Sequence, residues 1–227
     1  MLAKVQNLKF VGASVFAGLC LAGSASIVSA QNPPPNPDTL KKANTRPAEA
    51  KTQAADPFDG ASVEKMKNQC VTLVTENGAI VIEMLPVAAP ESVRSFLNLA
   101  ATGALNTTTF SRVVKNFVIQ GGNLSTNENW GPELAARASR RLPDEPSDIG
   151  HVRGIVSMAR PDEPNSATTH FFILVRDGPH LDKKFAAFGR VIKGLEVADA
   201  INRAPAENEK PMVPVRIKHA TVAQCEK

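Results

Sequence analysis

The segment QCVTLVTENGAIVIEML, residues 69–85, alternates apolar and polar side chains on both sides of Glu76-Asn77-Gly78. A period of two places successive side chains on opposite faces of an extended strand, and Asn-Gly supplies the positive φ angles of a tight turn. The segment is therefore predicted to be a β-hairpin. A lone hairpin is marginal in water, and the rest of the sequence supplies further strands for it to pack with.

GIVSMA (154–159), HFFILV (170–175) and AAFGRVI (186–192) read as three such strands, and VRIKHATVAQC (215–225) as the last. Only two stretches carry a helical period. In PESVRSFLNLAATG, Pro90 suits the first turn, Val93, Phe96, Leu97 and Ala100 share one face, and Gly103 is placed to end the helix. GLEVADAINRA is the second. Residues 124–150 are polar and irregular around the single tryptophan, Trp130, and read as surface loop. Many short strands with two helices over residues 61–227 predict a mostly β domain, a closed antiparallel β-barrel capped by two α-helices.

At 43% hydrophobic and 21% charged over 227 residues, the chain can bury one sizeable core. Residues 1–30 look different. Lys4 and Lys9 precede an acid-free apolar run that closes on Val28-Ser29-Ala30, the pattern of a cleaved signal peptide. The alternatives are an uncleaved membrane anchor and lipid modification at Cys20, which Leu19 immediately before it disfavours. Residues 31–60, rich in Pro, Ala and charge, read as a flexible linker. The expected destination is outside the cytoplasm, the periplasm ahead of the medium, with no stable membrane insertion after cleavage.

Charge points to no polyanionic partner. Removing the two signal lysines from 26 basic residues leaves 24 against 22 acidic ones, and one Trp with no Tyr offers no stacking platform, so nucleic acid is not expected. The same removal takes away Cys20 and leaves Cys70 and Cys225, at opposite ends of the predicted domain. They are either a disulfide, as an exported protein permits, or two small core residues whose strands never meet.

The stretch FSRVVKNFVIQGGN, residues 110–123, reads as two short strands around a turn of about three residues centred on Asn116. Such a turn brings Arg112 opposite Gln120, with both side chains on one face of the sheet. A permanently charged donor and an amide on one face, with Val118 between them, suit a site better than a core. Gly121 and Gly122 fit close backbone packing or unusual dihedrals after the strand.

That stretch, followed in order by GIVSMAR, NSATTHFFILV and HLDKKFAAFGRVIKGLEVADAI, resembles the cyclophilin family of peptidyl-prolyl cis/trans isomerases from about Gln69 to Cys225. The resemblance implies that Arg112, Phe117 and Gln120 are catalytic. It further implies that Val118, Ala159, Arg160, His170, Phe172, His180, Leu181 and Phe185 bind a proline-containing polypeptide, with no cofactor or metal and the protein acting as a monomer. The sequence departs from the family pattern at Ser111, Val118, His170, His180 and Phe185, and Arg160–Asn165 is one residue longer than the commonest version. These differences bear on substrate preference and inhibitor sensitivity more than on activity.

Simpler readings stand beside these. Arg112 could be an exposed strand arginine in a salt bridge, and the phenylalanines could all be core, as Phe171 is expected to be. His151, His170, His180 and His219 show no short metal-ligand spacing, and Ser111 lacks the surroundings of a hydrolase nucleophile. Two functions follow: an isomerase that assists folding of exported proteins, or a non-catalytic proline-peptide binding module or chaperone on the same fold.

Overall fold

The computed structural model describes residues 55–226. The expected signal peptide, 1–30, and most of the expected linker lie outside them. In chain order the elements are α1 (Val63–Met66), β1 (Gln69–Thr75), β2 (Gly78–Met84), α2 (Pro90–Ala101), β3 (Arg112–Val114), β4 (Val118–Gly121), α3 (Pro132–Ser139), β5 (Ile155–Met158), β6 (Phe171–Leu174), β7 (Ala187–Lys193), α4 (Leu195–Arg203), β8 (Ala206–Glu207), β9 (Lys210–Pro211) and β10 (Ile217–Gln224). Eight strands form one curled sheet in the order β10-β1-β2-β7-β5-β6-β4-β3, every neighbouring pair antiparallel, while β8 and β9 make a small separate hairpin. Among the described residues no helix is long and apolar enough to cross a membrane.

The predicted hairpin is β1–β2, paired from Cys70↔Glu83 to Thr75↔Gly78. Its turn differs from the expected one, since Gly78 alone of the Asn-Gly pair has positive φ. Thr75 fixes the turn instead: its hydroxyl accepts from the Asn77 amide at 3.1 Å and donates to the Gly78 carbonyl at 2.7 Å.

The barrel is not closed as expected. The edge strands β3 and β10 do not pair as a ladder, because β3 is three residues long and the chain before it is occupied by turns, with Gly103 and Thr107 at positive φ. The seam is bridged where Thr109 meets Arg216, with Phe110 N donating to Val215 O at 2.9 Å and Ile217 N to Thr108 O at 2.8 Å. The sheet is a half-barrel with a stitched seam.

Helices α2 and α4 are the two predicted ones, and α2 buries Val93, Phe96, Leu97 and Ala100. Helix α3 is a correction, since it lies within the stretch read as loop. Pro132 starts it, and Arg137 anchors it to Asp56. The same contact shortens the linker. Within residues 55–60, the end of the expected linker, Asp56 is bound by Arg137, and Phe58 packs against the core with its amide on Asn98 Oδ1 at 2.8 Å.

Two apolar clusters result. The larger holds Phe96, Phe110, Phe171 and Phe188 at the centre of the domain. The smaller joins Val118, Ile155, Phe172, Leu174, Leu181 and Ala187, with Phe117 and Phe185 partly buried against it. Alternation along β6 sends Phe171 to the first and Phe172 to the second.

At the other end, Cys70 and Cys225 form a disulfide across 155 residues of sequence, with their Cα atoms 5.0 Å apart. It ties β1 to the end of β10.

Candidate active site

The β3–β4 hairpin positions the site. Its turn is Lys115-Asn116-Phe117, with Asn116 at φ 55°, a left-handed position that asparagine tolerates better than most residues. The register is then Arg112↔Gln120, Val113↔Ile119 and Val114↔Val118. Arg112 Nη1 donates to Gln120 Oε1 at 3.2 Å, so the cation and the amide do share one face. After β4, Gly122 has φ 81°, and a Cβ there would lie 2.1 Å from the Thr169 carbonyl oxygen. Only glycine fits this approach of β4 to the chain entering β6.

Helix α4 holds the turn from behind. The side chain of Asn202, 4% exposed, donates to the carbonyls of Val114 and Val118 at 2.8 and 3.0 Å, and its oxygen accepts from the Asn116 amide at 2.9 Å. Lys115 Nζ donates to the helix-terminal carbonyls of Arg203 at 2.9 Å and Ala204 at 2.5 Å. Phe117 is thus presented by a fixed turn.

Beside the hairpin lies a cavity of about 160 Å³ lined by Arg112, Phe117, Val118, Gln120, Ala159, Arg160, Phe172, Leu181 and Phe185. Val118, Phe172 and Leu181 are buried and form its floor. The Phe185 ring stands edge-on to Phe172 at 5.9 Å, and the Arg160 guanidinium sits 5.3 Å over Phe185. The amide and carbonyl of Arg160 make no backbone hydrogen bond among the described residues, so both are available to an extended ligand. A second cavity of about 370 Å³ continues past Arg112, Gln120 and Arg160 to Pro161, Ser166, Thr168 and His170. The lengthened segment therefore borders the groove, and burial holds His170 below the usual imidazole range.

His180 meets the set only through Phe117. It is exposed on a short 3-10 turn, Pro179–Leu181, and stacks on Phe117 at 5.3 Å without lining either cavity. The same turn directs Leu181 inward. A roomier apolar depression of about 480 Å³ at 84–88 and 147–149 sets no arginine opposite an amide.

Three site-related contacts escaped the sequence reading. One is Asn202, whose only signal was a polar residue four places after Ala198, on the buried face of a helix. Another is Glu209, whose Oε2 accepts from Arg112 Nε at 2.7 Å; nothing local marked it. The third has the appearance of a hydrolase triad: His151 Nδ1 is 3.1 Å from Asp182 Oδ1, and Nε2 is 3.0 Å from Ser157 Oγ. Ser157 is fully buried and His151 is 1% exposed, so no substrate reaches the hydroxyl. The group is structural, pinning the Leu181 turn to β5.

A half-barrel with an apolar pocket, an arginine and an amide at its mouth, and unpaired backbone alongside defines a peptide-groove protein. Residues 70–222 match the family model for the cyclophilin type peptidyl-prolyl cis-trans isomerase/CLD, and the chain belongs to this family. It is 37% identical over 148 residues to peptidyl-prolyl cis-trans isomerase A of Dickeya dadantii, covering 62% of this chain and 75% of that one. Identity to the isomerase of Acinetobacter baylyi is 36% over 167 residues, 69% of this chain and 86% of the relative. With Arabidopsis thaliana isomerase CYP23 it is 36% over 141 residues, 61% of this chain, and spans 62% of that relative's length. A crystal structure of a Cryptosporidium parvum cyclophilin type isomerase, in the presence of the dipeptide Ala-Pro, superposes with a TM-score of 0.60 at 28% identity, covering 68% of this chain and 98% of that one.

Proposed function

We propose that this groove accelerates rotation about X-Pro peptide bonds and that the protein assists folding of exported polypeptides. The observation that carries the first part is Arg112 beside Gln120 at the mouth of the apolar pocket. An X-Pro bond resists rotation because the prolyl nitrogen shares its lone pair with the carbonyl; the barrier is about 18–20 kcal/mol. Phe117, Val118, Phe172, Leu181 and Phe185 hold the ring while Gln120 and the main chain of Arg160 fix the flanking backbone. Rotation localises the lone pair on nitrogen, and an Arg112 N–H then donates to it. This contact strengthens only in the twisted state, which lowers the barrier. Neither a nucleophile nor a proton transfer is required.

Export is supported by the residue pattern of 1–30 and by the disulfide, which oxidising compartments favour. The periplasm is the proposed location, and a monomer the proposed state.

The test is cis/trans exchange of a short Ala-Pro peptide by NMR, with wild type and Arg112→Ala side by side. Wild type accelerates exchange and the variant loses about 100-fold while remaining folded. Binding without acceleration by wild type would make the protein a proline-recognition module instead. For export, the protein recovered from the periplasmic fraction begins at Gln31; recovery with residues 1–30 intact would remove that part.

A further inference from the structure

The β8–β9 hairpin has a two-residue loop, Asn208 and Glu209, with both residues at positive φ, 48° and 65°. This is the type I′ pattern, whose second position favours glycine because a side chain is strained there. A glutamate therefore occupies a place that its backbone disfavours. Two contacts accompany it, and both reach the strand that bears Arg112. The Glu209 carbonyl accepts from Val113 N at 2.8 Å, and its carboxylate accepts from Arg112 Nε at 2.7 Å.

Stability does not account for the glutamate. The pair is about half exposed on both sides, at 45% and 47%, and such pairs contribute little. A glycine would keep the carbonyl contact and relieve the strain. What the carboxylate adds is orientation. A guanidinium is a rigid planar fork of five N–H donors; Glu209 engages the Nε edge and Gln120 engages Nη1 at 3.2 Å. With two points fixed the plane cannot turn, and Nη2 has no hydrogen-bond partner among the described residues.

We propose that Glu209 is a positioning residue for the reaction: it sets the plane of Arg112 so that a free N–H faces the prolyl nitrogen before substrate arrives. The inference rests on the reading of Arg112 given above. Glu209→Gly, Glu209→Gln and Arg112→Ala are compared with wild type for kcat and KM on an Ala-Pro peptide and for thermal midpoint. Glu209→Gly lowers kcat about tenfold, leaves KM within about twofold, and leaves the midpoint unchanged or raises it by about 2 °C. Glu209→Gln, whose amide oxygen can still accept from Nε, recovers at least half of the lost rate.

Opposite signs for stability and turnover, with rescue by glutamine, are what a purely structural contact does not produce. If Glu209→Gly turns over at the wild-type rate while Arg112→Ala is inactive, Glu209 only fills a turn and this inference fails alone. A parallel fall of kcat and midpoint that glutamine does not recover also overturns it. If Arg112→Ala keeps the wild-type rate, the reading of the site fails and this inference with it.

Discussion

Asn202 Nδ2 lies 2.8 Å from the carbonyl oxygen of Val114, so a helix side chain completes the turn between the two strands of the active-site hairpin. Asn202→Ala would strip two carbonyls and the Asn116 amide of a buried partner. The expected cost is about 2–3 kcal/mol in urea unfolding, together with a fall in kcat/KM as Phe117 loses its fixed turn. Loss of stability with unaltered turnover would show that the turn does not need Asn202 to present Phe117.

Arg137 grips Asp56 through two hydrogen bonds, 2.5 and 2.7 Å, with both side chains 9% exposed. Removing one partner strands the other, so Arg137→Met should cost about 3 kcal/mol. Deleting residues before 61 should cost a similar amount. The hydrogen bond from Arg137 lowers the Asp56 carboxyl below its usual 3.8, partly opposed by burial. A depressed carboxyl stabilises the fold fully above the unfolded value and loses that contribution as pH falls through the folded value. In denaturant titrations of wild type and Arg137→Met, the difference seen at pH 7 should therefore shrink as pH is lowered past 3.8.

His151 carries the opposite charge logic. Burial lowers its imidazole below the usual 6.5, with the Asp182 hydrogen bond opposing. The folded protein thus prefers the neutral ring, and the unfolded chain takes up the proton first. The stabilisation is complete above about pH 6.5 and is lost as pH falls from there towards the folded value. His170, also lowered by burial, acts in the same direction. The urea midpoint should decline between pH 7.5 and 5.5, and His151→Gln should flatten part of that decline. An unchanged slope in the variant would assign the effect elsewhere.

The cross-link between Cys70 and Cys225 closes nearly the whole folded domain in one loop. Chain-entropy reasoning gives about 5 kcal/mol for a loop of this length, and removal of native disulfides typically costs about 2–5 kcal/mol. Cys225→Ser should lower the urea midpoint by a corresponding amount while the folded variant still turns over Ala-Pro peptide, because neither cysteine lines the groove. A variant as stable as wild type would mean that the denatured chain is already compact.

What could be read beforehand was local. The β1–β2 hairpin and the Arg112↔Gln120 register rest on a period of two and a short turn, both contained in fewer than twenty residues. The residues that line the two cavities lie in ordered motifs, each spanning one strand or turn. Long-range contacts were invisible. Helix α3 has one large aliphatic residue, Leu134, beside its small alanines, and its anchor lies 81 positions away at Asp56. Glu209 is 97 positions from Arg112, and Asn202 is 86 from Asn116. Barrel closure failed for a related reason: whether two edge strands meet depends on the turns between them, and those are set by positive φ at residues such as Thr107 that carry no strong turn signal.

The segment Pro161–Asn165 is exposed throughout and lies between the two cross-linked cysteines. A protease that cuts there divides the polypeptide without dividing the molecule. Both pieces stay joined through Cys70 and Cys225, migrate as one band without reductant, and separate into two only when the thiols are freed.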